Sequence, residues 1–206
     1  MHSMSMVQTR LRPALPFGAF LAALLLPGPA LAQQAVLELD PAQTTVEITL
    51  GAFLHTVHGT FKLKRGLIMF DPATGKASGL VVVDAASGDT GNDGRDKDMH
   101  QKVLESAKYP EITFAPVQIQ GSVAPERDSQ LAVQGVLNLH GQDHEMVIQA
   151  KVHIAGGELA ADNSFPIPYG KWGLKNPSTF LLRVKDTVQV NVHAVGRISL
   201  PAPNVN

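Results

Sequence analysis

LAVQGVLNLHGQDHEMVIQA, residues Leu131 to Ala150, decides how this chain folds. Leu131, Val133, Leu137 and Leu139 take alternate positions before Gly141, and Met146, Ile148 and Ala150 do the same after it. That is the period-2 pattern of two strands, each apolar on one face. Gly141-Gln142 as a two-residue loop, a Gly-first pair suited to a type II′ turn, predicts that His140 faces Asp143 and that partner numbers sum to 283. Leu139 then meets His144, Leu137 meets Met146, Gly135 meets Ile148 and Val133 meets Ala150. A one-residue slip would turn one apolar face outward, so Leu137 and Ile148 are expected to point into the same interior.

The same alternation continues in both directions. Val46, Ile48 and Leu50 share one face while Thr45, Glu47 and Thr49 share the other; Ile68 and Phe70, Val81 and Val83, and Ile112 and Phe114 follow. Val152 extends the second hairpin strand, and Val188, Val190, Val192 and Ala194 close the series. About seven or eight strands, each apolar on one side, describe an all-β antiparallel domain. Turn residues separate them at Asp71-Pro72-Ala73-Thr74-Gly75, Ala124-Pro125-Glu126-Arg127-Asp128 and Gly156-Gly157. One stretch breaks the pattern: Met99, Val103, Leu104 and Ala107 fall at helical spacing between Asp96 and Lys108, with Asp96 and Asp98 in the first turn. A single short α-helix near residues 96–108, crossing one end of a barrel, is the expectation.

The N-terminal 32 residues carry Arg10 and Arg12, no acidic residue, an apolar run from Phe17 to Leu26, and Ala30-Leu31-Ala32. This is the pattern of a secretory signal peptide cut after Ala32; Pro27 and Gly28 interrupt the run before it reaches the roughly 18 residues of a membrane span. Removing 32 of the 206 residues leaves 174, the size of one domain. With two of the 17 basic residues gone against 18 acidic ones, the mature formal charge is −3, which suits neither a nucleic acid nor an anionic membrane surface. The sequence has no cysteine, so packing alone holds the fold and no lipid anchor follows the cleavage site. The expected location is the periplasm, with full secretion as the alternative.

No residue pattern assembles an active site. There is no cysteine nucleophile and no Gly-x-Ser-x-Gly elbow. His55 and His58, three apart, lie on opposite faces of an uninterrupted strand; His153 and His193 fall on polar faces as solvated surface residues. His144 is placed inward at a hairpin end, as a rim histidine bonded to backbone or water. Nothing supplies the three or four neighbouring ligands of a zinc site. Asp89, Asp93, Arg95, Asp96, Asp98 and His100 do not follow a calcium-loop ladder. They read as a turn through Gly88, Gly91 and Gly94 and a helix start in which Arg95 and Asp96 cap and pair. Pro166 and Pro168 exclude a central strand between Ser164 and Leu174, so that segment is an edge or an opening, with Trp172 as its plug or its lip.

Together these segments resemble the YceI-like family, lipocalin-like proteins that bind polyisoprenoids and similar amphiphiles, from about Leu39 to Gly196. The resemblance rests on Gly59-Thr60-Phe61, Gly66 through Phe70-Asp71, Ser87-Gly88-Asp89-Thr90 leading to Arg95-Asp96, Lys108-Tyr109-Pro110 with Thr113-Phe114, the Gly135 to Gly141 hairpin and the closing strand. It implies an eight-stranded antiparallel lipocalin-like β-barrel over residues 33–200, closed at one end, with residues 201–206 as a tail. It implies a non-enzymatic protein that sequesters or carries an apolar chain without cofactor or metal. The ligand would meet Phe53, Phe61, Ile68, Phe70, Val81, Val83, Phe114, Leu137 and His144, then Ile148, Phe165, Trp172, Leu174, Val190 and Val192. A packed barrel serving as an interaction or stress-related protein, and a metal-dependent enzyme, are the alternatives; a homodimer is compatible with each.

Overall fold

A computed structural model describes residues 34–52, 56–178 and 183–201. The segments with period-2 alternation all become strands: β1 (Ala35–Leu39), β2 (Thr45–Ala52), β3 (Thr56–Phe70), β4 (Ala77–Asp89), β5 (Glu111–Gln120), β6 (Asp128–Leu139), β7 (Gln142–Ala155), β8 (Glu158–Ile167) and β9 (Val184–Ser199). Each of β2 to β8 pairs antiparallel with the strand that follows it, and β9 returns to pair with β2. The sheet therefore closes into a barrel. β1 does not add a ninth stave: it pairs with the far halves of β3 and β9, whose near halves hold β2. β1 and β2 are one stave broken at residues 40–44, and the barrel has eight.

That break is held by short-range polar contacts. The Asp40 carboxylate accepts from Ala42 N at 2.8 Å and from the Gln43 side chain at 2.7 Å; these bonds, the Gln43 one foremost, hold its pKa below the usual carboxylate value. Thr44 Oγ1 donates to Val195 O at 3.2 Å and accepts from Val195 N at 3.1 Å. The joint is thereby tied to the neighbouring β9 where a continuous strand would have been tied by its ladder.

The decisive hairpin forms with a different turn. Leu139 pairs with Gln142, Asn138 with Asp143, Leu137 with His144, Gly135 with Met146 and Val133 with Ile148, so partner numbers sum to 281. The loop is His140-Gly141, with φ of 55° and 73°, the two positive values of a type I′ turn, whose twist matches the flanking strands. The expected Gly141-Gln142 loop is corrected by two in the sum. This leaves the facing of every side chain intact, with Leu137 buried and Ile148 on the same side. Histidine tolerates the left-handed region better than most side chains. Here it is also held, by the Glu105 carboxylate at 2.7 Å from Nε2 and by the Tyr109 ring at 4.3 Å.

The helix is shifted and shortened. It runs as α1 (Asp93–Asp98) and continues as a π-helical stretch, Met99–Val103. Asn92, and neither Arg95 nor Asp96, is the N-cap, its side chain accepting from Arg95 N at 2.9 Å. Arg95 and Asp96 instead clasp Thr90: Arg95 Nε donates to Thr90 Oγ1 at 2.7 Å, and Thr90 N donates to the Asp96 carboxylate at 3.0 Å. Met99, Val103 and Leu104 pack on the core, whereas Ala107 is exposed and Glu105 turns left-handed at φ 46°. Chain reversal at Glu105 ended the helix where propensity alone would have extended it to Lys108.

The interior divides into two apolar clusters. One contains Leu37, Leu63, Phe70, Ile119, Leu131, Val152 and Ile154; the other, at the helix end, contains Val46, Phe61, Leu137, Leu139, Ile167, Tyr169, Leu174 and Val190. Val83 and Val192 touch both.

Candidate functional site

The ladder between β7 and β8 is incomplete, which leaves a seam. β7 and β8 pair only from Ala150 with Asn163 to Ala155 with Glu158. Beyond Asn163, residues Ser164 to Ile167 pair with β9 alone, while the first half of β7 pairs with β6 alone. From Ala150 to His144 the unzipped edge spans six residues, about 20 Å at ~3.3 Å per residue. Pro166 has no N–H to give a ladder, which explains locally why β8 cannot zip onto β7 here. The expected edge or opening between Ser164 and Leu174 is thus an edge over its first four residues.

Alternation places His144, Met146 and Ile148 of β7 and Asn163, Phe165 and Ile167 of β8 on the inner side of this seam. Met146, Ile148 and Phe165 are only half-buried, and Ile148 belongs to neither cluster. Inward-facing Ile48, Ile68, Val81, Val83, Phe114, Val133, Val188 and Val192 also keep part of their surface accessible. Gly135 contributes to this shape: a Cβ there would lie 2.5 Å from the Phe114 ring, so its missing side chain is what admits that ring.

After β8 the chain folds back as a plug. Gly170 N donates to Asp186 O at 3.0 Å and Leu174 N to Tyr169 O at 3.1 Å. Tyr169 and Leu174 are buried, and the Tyr169 hydroxyl donates to Lys185 O. Burial, with the nearby Asp186 carboxylate adding to it, pushes the Tyr169 phenol up to about 12. Trp172 remains half-buried and lies flat against His144, ring centroids 3.8 Å apart and planes 6° from parallel. His144 faces inward at the hairpin end, as expected, and its Nε2 is buried with no hydrogen-bond partner among the described residues. The other such atom is Oδ1 of Asn163.

The residues expected to line a ligand separate into two groups. Phe61, Phe70, Leu137, Leu174 and Val190 are packed core; Ile68, Val81, Val83, Phe114, His144, Ile148, Phe165, Trp172 and Val192 keep accessible surface. Phe53 and His55 lie outside the described residues, so the His55–His58 pair does too. Met146 and Tyr169 were not among the expected lining residues, and Asn163 was not singled out from the sequence at all. Asn163 had a signal, as the one polar residue in the inward series Leu159, Ala161, Asn163, Phe165, Ile167.

Elsewhere the histidines hold structure. His153 and His193 are exposed, as expected, but each has its Nδ1 2.7 Å from a cross-strand carboxylate, Asp128 and Asp162 respectively. His100 spans Gly88 O at 2.9 Å and Ser106 Oγ at 3.2 Å. No group of three or more His, Cys, Asp or Glu among the described residues could hold a metal ion. A surface concavity of about 640 Å³ lies on the outer wall, lined by Gln149, Lys151, Asp162, Ser164, Asn191 and His193 among others. It also reaches Ala150, Asn163 and Val192, at the fork where the β7–β8 ladder ends.

Residues 37–196 match the YceI-like domain. The chain belongs to that family. Among relatives, a UPF0312 protein of Pseudomonas syringae pv. syringae is 34% identical over 131 residues, which is 62% of this chain and 66%, just under two thirds, of the relative. A UPF0312 protein of Vibrio cholerae is 35% identical over 102 residues, 48% of this chain and 52% of that one. Two solved structures share the fold. Burkholderia cenocepacia BcnA has a TM-score of 0.62 at 22% identity, covering 76% of this chain and 98% of its own. A polyisoprenoid binding domain from Saccharophagus degradans has 0.61 at 19%, covering 79% and 98%. At these identities the likeness is one of fold.

Proposed function

We propose that this YceI-like protein is an exported, non-enzymatic carrier that sequesters an apolar chain, a polyisoprenoid or similar amphiphile, inside its barrel. The observation that carries the reading is the β7–β8 seam: a wall left unzipped over about 20 Å, with half-buried Met146, Ile148 and Phe165 along its inner edge. Accessible apolar surface inside a barrel costs stability unless something covers it. The polyisoprenoid-binding fold neighbour supports this choice of ligand, and the leader pattern before Gln33 supports export to the periplasm. Among the described residues no helix is long and apolar enough to cross a membrane.

Burying one methylene contributes about 0.8 kcal/mol, so a five-carbon isoprene unit contributes up to roughly 4 kcal/mol, against an association cost on the order of 4–15 kcal/mol. Short chains should bind poorly and longer ones progressively better. Titrating delipidated protein with prenyl alcohols of increasing length, read by native mass spectrometry, tests this. Binding that ignores chain length, or no binding at any length, would refute the carrier reading. The intact mass of exported protein tests the leader, with Gln33 expected at the N-terminus.

A further inference from the structure

Two polar atoms are buried in the seam without partners among the described residues, and they sit at its opposite ends: His144 Nε2 by the plug and Asn163 Oδ1 at the fork. Asn163 is flanked across the sheet by Ala150 and Val192 and along its own strand by Ala161 and Phe165. None of these can satisfy an amide. Leaving a buried amide oxygen unbonded is costly, and a residue chosen only for packing would be apolar at this position, as its inward neighbours are. Asn163 also lines the outer cleft where the ladder ends, so a head group bonded to it sits at the mouth of the seam.

We infer that Asn163 is the head-group anchor of the ligand, that the ligand enters sideways through the β7–β8 seam, and that its head is an uncharged hydrogen-bonding group rather than a phosphate or carboxylate. The inference rests on the carrier reading above and specifies the ligand class. The unpartnered Oδ1 is an acceptor, so the head that meets it must donate, as a hydroxyl or amide N–H does, and the carboxamide supplies no counter-charge. The inward positions of β7 and β8 along the seam carry neither lysine nor arginine. The cleft outside is lined by one lysine, Lys151, against two carboxylates, Glu47 and Asp162, so it holds no surplus positive charge for an anion. The tail then runs from the fork along Ile148, Phe165 and Met146 toward the His144–Trp172 stack, over a length set by the seam.

The test compares geranylgeraniol, geranylgeranyl phosphate and the head-less hydrocarbon of the same chain, on the wild type and on Asn163→Leu. Affinities are read by native mass spectrometry and by Trp172 emission. The wild type should prefer the alcohol over the hydrocarbon by roughly five- to tenfold, the worth of one neutral hydrogen bond, and should bind the phosphate more weakly than the alcohol. Asn163→Leu should abolish the alcohol's advantage while holding the hydrocarbon at least as well. If this variant folds poorly by circular dichroism, Asn163→Ser, which keeps a smaller polar group, should retain part of the preference. Phosphate binding as tightly as alcohol, or an undiminished preference in Asn163→Leu, would overturn the assignment. So would a preference lost in His144→Phe instead. Hydrocarbon binding without head-group preference sinks the anchor alone; failure of all three ligands sinks the carrier reading with it.

Discussion

The imidazole of His144 stacks on the indole of Trp172 with 3.8 Å between centroids and 6° between planes, joining β7 to the plug that follows β8 where no ladder joins them. This contact closes the seam at its outer end. An aromatic pair contributes about 0.5–1.5 kcal/mol beyond area burial, enough to hold a latch and little enough to release one. Trp172→Ala should lower the unfolding free energy by about 1–3 kcal/mol, less than a full core deletion because Trp172 is half-buried. In the wild type, a bound chain should change Trp172 emission saturably. Flat emission alongside lipid binding proven by mass spectrometry would make Trp172 a remote plug.

Leu137 is 6% exposed and pairs with His144 across the hairpin. Leu137→Asp buries a charge with no partner and should cost more than about 4 kcal/mol, seen as loss of the cooperative melt. Asn138 faces outward, yet Asn138→Asp is not a neutral control: the Asn138 amide donates to the Asp143 carboxylate at 2.6 Å. It would set two carboxylates face to face, at a cost of about 0.5–1 kcal/mol. Exposed Glu145→Gln is the better control, with a melt expected within the scatter of wild type.

The turn makes a separate prediction. Gly141→Ala would put a Cβ 2.6 Å from Tyr109 Cε1 at a φ of 73°, and should cost about 1–3 kcal/mol in chemical denaturation. His140→Asn should keep the turn, because asparagine favours the left-handed region, losing the Glu105 and Tyr109 contacts. A larger loss from His140→Asn than from Gly141→Ala would contradict the type I′ assignment.

Alkaline stability should depend on Tyr169. Its folded pKa, pushed up to about 12, lies above the ordinary phenol value, so the folded state holds its proton longer than the unfolded chain does. The contribution is fully present below about pH 10 and is lost as pH rises toward about 12, at up to ~1.4 kcal/mol per pH unit. Denaturation curves between pH 9 and 12 should steepen this way for wild type and flatten for Tyr169→Phe. The variant should also be weaker at neutral pH, by about 1 kcal/mol, for the lost bond to Lys185 O.

The sequence by itself determined the strands and their faces, because alternation is a local property: whichever partner a strand finds, Val46, Leu137 or Val190 must turn inward together with the residues two away. It also marked a place where a ladder could break, since Pro166 lacks an N–H in any fold. The tertiary structure decided what depends on distant neighbours. Tyr109 and Glu105, some thirty residues before the hairpin, hold His140 in a left-handed turn that local preference assigned to Gly141-Gln142. The chain reversal at Glu105 set the helix end, and β3 and β9 decided that β1 and β2 share one stave. His144 and Trp172 are 28 positions apart and meet only because the chain after β8 folds back across the seam. Asn163 was visible as a polar break in an apolar series, but only closure of the barrel made its amide oxygen a buried atom in need of a partner, because a hydrogen-bonding deficit exists only once water has been excluded.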